Sequence, residues 1–371
     1  MSHKQEKFYL IYILWLLVFT LLTNEYYDFN GILSINQNDS ISYMNIANSA
    51  PHYSLENITF HRAQRFFFPY IIGIVSNIFN IEVFTCFKIF TLVVLFIIVI
   101  AHFYIINKLK CEIYISIISI SLLILNPYIF RYLIAVPTML NDAIFLLSLY
   151  IFSIGLILNN KTALLGIFFS LTSRQNGISL FFGYLIKKVL ENKNKFFKDK
   201  NLIASIIMIV IVTLIANNYA KNVSTSGFAF SHINGIFYWI KNNWDLKDLI
   251  YWLILPLYSY LPALFIILTS RKIVGFSRNY IKQNIVLFFI FFSIIGISYI
   301  PGPEMSGRHI IRHTTLAYPV LLIWMSWFTQ SKKKFYNIYS ITLVIIILHI
   351  WSFHPRYSKI SAFEFLRELL I

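Results

Sequence analysis

NDSISYMNIANSAPHYSLENITFHRAQRFFFPYIIGIVSNIFN, residues 38–80, is the first long polar interruption in an otherwise apolar chain. It opens with a lone carboxylate, Asp39, followed at helical spacing by Tyr43, Ile46, Ala47 and Ala50, which predicts a short helix carrying Asp39 and Tyr43 on one face. A basic knot follows, His61, Arg62 and Arg65, and then an aromatic run. Between 66 and 81 the small or polar residues after Pro69 are Gly73, Ser76, Asn77 and Asn80, spaced i, i+3, i+4, i+7. That is a helix with one narrow polar stripe. At 1.5 Å per residue it is roughly 24 Å long, short of a hydrocarbon core of about 30 Å. The expectation is an amphipathic helix lying in the membrane interface, inside a first outer loop of residues 24–82.

The surrounding chain makes that setting necessary. Of 371 residues 58% are hydrophobic and 12% charged, with a mean hydropathy of +0.69, which places the chain among polytopic membrane proteins. A net charge of +16 in a soluble protein would point to nucleic acid. Here it reads as topology signal and headgroup contact, and no nucleic-acid partner is expected. Cys86 and Cys111 show no CxxC or His-rich spacing, so neither a disulfide framework nor a zinc site is indicated.

Apolar runs able to span cover residues 8–23, 83–106, 113–125, 143–158, 162–172, 178–186, 202–217, 249–269, 285–300, 314–329 and 336–353. The fold expected is therefore an all-α bundle of about eleven transmembrane helices forming a single domain over residues 1–371. The first run lacks a small-residue cleavage motif and reads as a retained helix, not a signal peptide. With a cytoplasmic N-terminus and residues 66–81 left in the interface, 18 of the 31 basic residues fall in the tail and in short inner loops, as the positive-inside rule requires. Making 66–81 a span would put Lys108 and Lys110 outside and spoil this agreement.

The other 13 basic residues differ in type: Arg62, Arg65, Arg131, Arg174, Arg308, Arg312, Arg356 and Arg367 against five lysines. Topology needs only charge, whereas arginine's planar fork binds phosphate through two parallel hydrogen bonds. One such arginine alone is as well explained by snorkelling to headgroups. Eight together favour an outward-facing anionic site. Arg174, in LTSRQNGIS between two short runs, is the hardest to dismiss, because a charge near bilayer depth costs several kcal/mol unless paired or wetted. Asp142 stands where a helix begins, and serves equally well as an N-cap or as a functional acid. In PGPEMSGRHIIRH a helix beyond Pro303 would align Glu304, Arg308 and Arg312, with His309 and His313 as a second stripe. No Walker loop, GxGxxG after a strand, HExxH or GxSxG is present.

These residues carry a resemblance to the GT-C class of polytopic glycosyltransferases, which take sugar from polyprenyl-phosphate donors on the outer side of a membrane. The similar parts are Asp39 with Tyr43 and Ala47, HRAQRFFFPYIIGIVSNIF as a juxtamembrane helix, Asp142 entering the fourth span, SRQNG at 173–177, and GRHIIRHTTLAYPVLL at 307–322. Together they cover roughly the first 190 residues and the last 70. The resemblance implies inverting transfer to an acceptor hydroxyl of a glycan, lipid or protein, with Asp39 taking the proton and Asp142 as second acid. Arg62, Arg65, Arg174, Arg308 and Arg312 then compete for the phosphate, Arg308 and Arg174 first, with Tyr43 and His309 beside them. A single Asp39 where some members carry paired acids, and no soluble C-terminal domain, set this chain apart. Those departures leave a divalent metal open. Two other readings stand beside this one: a glycan-joining protein of the O-antigen polymerase or ligase type, centred on residues 217–248, and a transporter or flippase of lipid-linked sugar, for which repeated halves would be expected.

Overall fold

Lipid offers no hydrogen-bond partners, so long apolar runs close their backbone bonds internally as helices. The computed structural model describes residues 3–158, 160–191, 199–224, 231–242, 245–269, 278–303, 309–329, 338–364 and 367. Among these the chain is helix and loop, with one isolated antiparallel bridge between Asn24 and Ser358. The helices are α1 (His3–Thr23), α2 (Phe29–Ser49), α3 (Phe60–Ala63), α4 (Phe67–Phe79), α5 (Val83–Lys108), α6 (Ile113–Ile124), α7 (Tyr132–Ala135), α8 (Leu140–Ile157), α9 (Asn160–Ser173) and α10 (Ile178–Glu191). They continue as α11 (Lys200–Val223), α12 (Ser231–Asn242), α13 (Leu246–Ile254), α14 (Leu257–Thr269), α15 (Arg278–Tyr299), α16 (Ile310–Thr315), α17 (Tyr318–Thr329) and α18 (Ile338–Ser352).

By length and composition five stretches of the described residues are able to cross a membrane: Lys4–Thr23, Val83–Lys108, Ile113–Ala135, Pro137–Ile157 and Lys200–Val223. A sixth forms if Leu246–Ile254 and Leu257–Ile266, bent by 50° to each other, act as one. The molecule is an all-helical membrane protein. The expected runs at 162–172, 285–300 and 336–353 are carried by shorter apolar helices, Lys161–Ser173, Asn284–Tyr299 and Ile341–Ser352.

The polar stretch folds differently from its expectation in two ways. Helix α2 starts ten residues before Asp39, because the side chain of Asp28 accepts from the backbone N–H of Gly31 at 2.6 Å and caps it there. Asp39 consequently sits in mid-helix. The polar stripe of α4, in turn, is buried toward α2 in its first half, while Asn77 and Asn80 are exposed. Gly73 and Ser76 are buried, Asn77 Nδ2 donates to the carbonyl of Ala50 at 2.7 Å, and a Cβ on Gly73 would lie 1.9 Å from the carbonyl oxygen of Ala47. Only glycine permits this backbone-to-backbone approach. Ile78 and Phe79 at the far end of α4 stay exposed, as an interfacial helix requires. Asn80 closes α4 in the left-handed conformation (φ 51°), which asparagine tolerates.

Helix α8 is the buried axis of the bundle, packed between α5 and α9. Gly155 lets α9 approach, since a Cβ there would meet the backbone nitrogen of Ala163 at 2.1 Å. Asp142 lies inside the first turn of α8 and its side chain caps nothing. The N-cap reading is therefore corrected: a 3-10 turn, Pro137–Met139, leads into the helix and leaves the carboxylate free to point elsewhere.

Candidate functional site

Four pieces of chain far apart in sequence meet at the start of α8. The α2 helix brings Asp39 and Tyr43, and the short α3 with the turn after it brings Arg62, Gln64 and Arg65. The break between α9 and α10 brings Arg174 and Gln175, because Arg174 is extended (φ −151°, ψ 150°) where the helix hands over to a 3-10 turn. The α16 helix adds Arg312 and His313.

Asp39 is held at both oxygens. Arg62 Nε donates to Oδ1 at 2.7 Å and Arg312 Nη2 donates to Oδ2 at 2.9 Å. Burial by itself would raise this carboxyl, but the Arg312, Arg65 and Arg62 guanidiniums outweigh it and hold Asp39 well below the usual carboxylate range. Asp142 pairs with Arg174 through Oδ1 in a contact whose two side chains are only 4% and 2% exposed. Its Oδ2 faces Arg312 Nε across 3.7 Å and has no hydrogen-bond partner.

The remaining donors tie these pairs into one network. Arg312 Nη1 donates to Tyr132 Oη at 2.9 Å, and Arg174 Nη2 to His313 Nδ1 at 2.8 Å. Arg65 Nε donates to Gln175 Oε1 at 2.7 Å and its Nη1 reaches Tyr43 Oη at 3.4 Å. Gln175 Nε2 donates to the carbonyl of His61 and to Gln64 Oε1, while Asn141 Nδ2 holds the carbonyl of Arg65 at 3.0 Å. Arg174 and Arg312 are buried, and Arg62, Arg65 and the exposed Gln175 form the accessible rim. Four guanidiniums against two carboxylates leave a net charge of about +2 here, a strong field in a poorly screened place. Its natural complement is a phosphate.

Of the residues singled out from sequence, Asp39, Asp142, Arg62, Arg65, Arg174, Arg312 and Tyr43 converge. His309 stands exposed at the edge, three residues before Arg312, and Arg308 lies outside the described residues. Arg131 goes elsewhere. It is fully buried, donates to Thr23 Oγ1 (2.9 Å) and Ser352 Oγ (3.2 Å), and lies 5.0 Å from the ring centre of Phe353, stapling α1, α18 and the π-helical turn Pro127–Arg131. Arg356 and Arg367 are exposed.

Sequence reasoning missed Gln175, Asn141, Tyr132 and the hydrogen-bonded part of His313. Only Gln175 had a signal, its place beside Arg174. Among the described residues no three His, Cys, Asp or Glu side chains gather, and with both carboxylates already facing guanidiniums the donor set does not fit a divalent cation. Cys86 and Cys111 are both free thiols and take no part.

No family model, no curated protein and no solved structure matches the chain.

Proposed function

We propose that this protein is a membrane glycosyltransferase that moves a sugar from a polyprenyl-phosphate donor to an acceptor hydroxyl on the non-cytoplasmic face. The observation that carries the reading is the convergence of Arg62, Arg65, Arg174 and Arg312 around Asp39 and Asp142, in excess positive charge, beside a helix too short to span. The donor's phosphodiester binds at the Arg62 and Arg65 rim, where α4 meets the lipid surface, so its chain stays in the bilayer. As the bond between sugar and phosphate breaks, negative charge grows on the leaving phosphate and the guanidiniums stabilise it. A carboxylate of the same cluster receives the acceptor's proton. The arrangement belongs with a bundle of about eleven spans, an N-terminus in the cytoplasm and a role in building the cell envelope.

The glycan-joining alternative places its chemistry on residues 217–248. In the described part of that stretch Asn217 accepts from Gln64 Nε2 at 2.7 Å and Tyr219 stacks on Phe66, next to Arg65. The test is direct: protein in nanodiscs is given undecaprenyl phosphate, then a panel of undecaprenyl-phosphate-linked radiolabelled hexoses with bacterial membrane extract as acceptor. Saturable binding that weakens at least about tenfold in the double variant R62A/R65A, together with label transfer, is expected. A chain that binds no lipid phosphate sinks the reading.

A further inference from the structure

The geometry points to Asp142, and not Asp39, as the group that takes the acceptor's proton, with the acceptor hydroxyl seated in the small cavity beside Tyr128 and Tyr132; this rests on the transferase reading above.

Both carboxylates are in the cluster, but their free valences differ. Asp39 has each oxygen engaged by a guanidinium, at 2.7 Å and 2.9 Å. A base held far below ambient pH accepts a proton poorly, and Asp39 is so held. Its role is to fix Arg62 and Arg312 in place. Asp142 keeps Oδ2 without a hydrogen-bond partner.

A small cavity lies against Asp142. It is lined by Tyr128, Tyr132, Leu133, Leu146, Asp142 and Arg312 among others, and has about 10 Å³ of room for a water centre. That is the space of one water molecule or one hydroxyl group. It admits a single hydroxyl group, with one carboxylate and one guanidinium among its walls. Tyr128 is half-buried, and its ring lies 6.1 Å from that of Tyr258 and 5.4 Å from that of His354. The Arg62 and Arg65 rim is left to the phosphate, and Arg312, which lines the cavity, shares Asp39 with Arg62 and so joins the two places.

The step balances as follows. The acceptor hydroxyl gives its proton to Asp142 Oδ2, and its oxygen forms a bond to the anomeric carbon from the face opposite the phosphate. The bond from that carbon to the phosphate oxygen breaks, and its electron pair leaves with the polyprenyl phosphate. Water in the acceptor's place gives slow release of free sugar by the same path.

The test uses wild-type protein, D142N, D142E, D142G and D39N in nanodiscs, with the panel of undecaprenyl-phosphate-linked radiolabelled hexoses, scoring release of free sugar and transfer to membrane extract. D142N is expected to lose at least about 10²-fold in kcat with KM for the donor within threefold, and formate is expected to restore D142G by tenfold or more. D39N is expected to change donor KM, because Arg62 and Arg312 lose their common anchor. Should D142N not fold, D142E keeps the charge paired with Arg174 while moving the carboxylate, and is expected to show the same loss in kcat alone. An active D142N or D142E, a D142G indifferent to formate, or a 10²-fold kcat loss confined to D39N overturns the assignment. Wild-type protein that neither transfers nor releases sugar from any donor overturns the transferase reading, and this inference with it.

Discussion

Arg174 Nη2 lies 2.8 Å from Nδ1 of His313, a residue 139 positions further along the chain. Guanidinium nitrogens only donate, so Nδ1 accepts and the neutral ring carries its proton on Nε2. Burial and the Arg312, Arg174 and Arg65 guanidiniums push His313 well below its usual range. A histidine kept neutral by folding binds fewer protons folded than unfolded. Stability is then complete above the unfolded value of about 6.5 and falls as pH drops below it. Thermal unfolding in detergent from pH 7.5 to 5 is expected to show this loss. H313N, whose side-chain oxygen takes the place of Nδ1, is expected to flatten it.

The Asp142–Arg174 pair is buried on both sides, so breaking it leaves an isolated charge. D142N and R174Q are each expected to cost about 3–5 kcal/mol, and the double variant markedly less than their sum. R174K is not a conservative change here, because one ammonium does not span Asp142 and His313 as a fork does. A double-mutant cycle by chemical denaturation reads both points. Additive losses would mean that the two side chains do not depend on each other.

Arg131 gives the opposite expectation. Among the described residues it has hydroxyl and ring partners and no carboxylate, and Nε and Nη1 have no hydrogen-bond partner. Replacement of a buried charge by an apolar side chain of similar length is often neutral or stabilising. R131M is therefore expected to change stability by less than about 1 kcal/mol or to raise it, with lipid-phosphate binding unaltered. A fall in binding would give Arg131 a place in the site.

Gly73 is the most confined position between α2 and α4. G73A forces the helices apart and is expected to cost about 1–3 kcal/mol. Because α2 carries Asp39, the same variant is expected to weaken undecaprenyl phosphate binding, which isothermal titration in nanodiscs measures. A destabilised chain with full binding would separate the packing from the site.

The membrane class and most of the cluster were legible in the sequence because charge is costly in an apolar chain. Asp39, Arg62, Arg65, Arg174 and Arg312 all lie in the few polar interruptions of an apolar chain and so announce themselves. Their pairing was not legible. Asp39 and Arg312 are 273 residues apart, and no local period records such a contact. Helix starts misled for a similar reason: Asp28 caps α2 and Asp142 caps nothing, though both look like caps in sequence. Tyr132 had no signal, since a tyrosine among apolar neighbours is ordinary core until Arg312 arrives beside it.

The close seat of Gly73 on Ala47 also has a mechanical meaning. Two helices whose main chains touch, without side chains between them, have no soft layer to absorb strain. Any displacement of α4 is therefore handed directly to the stem that holds Asp39.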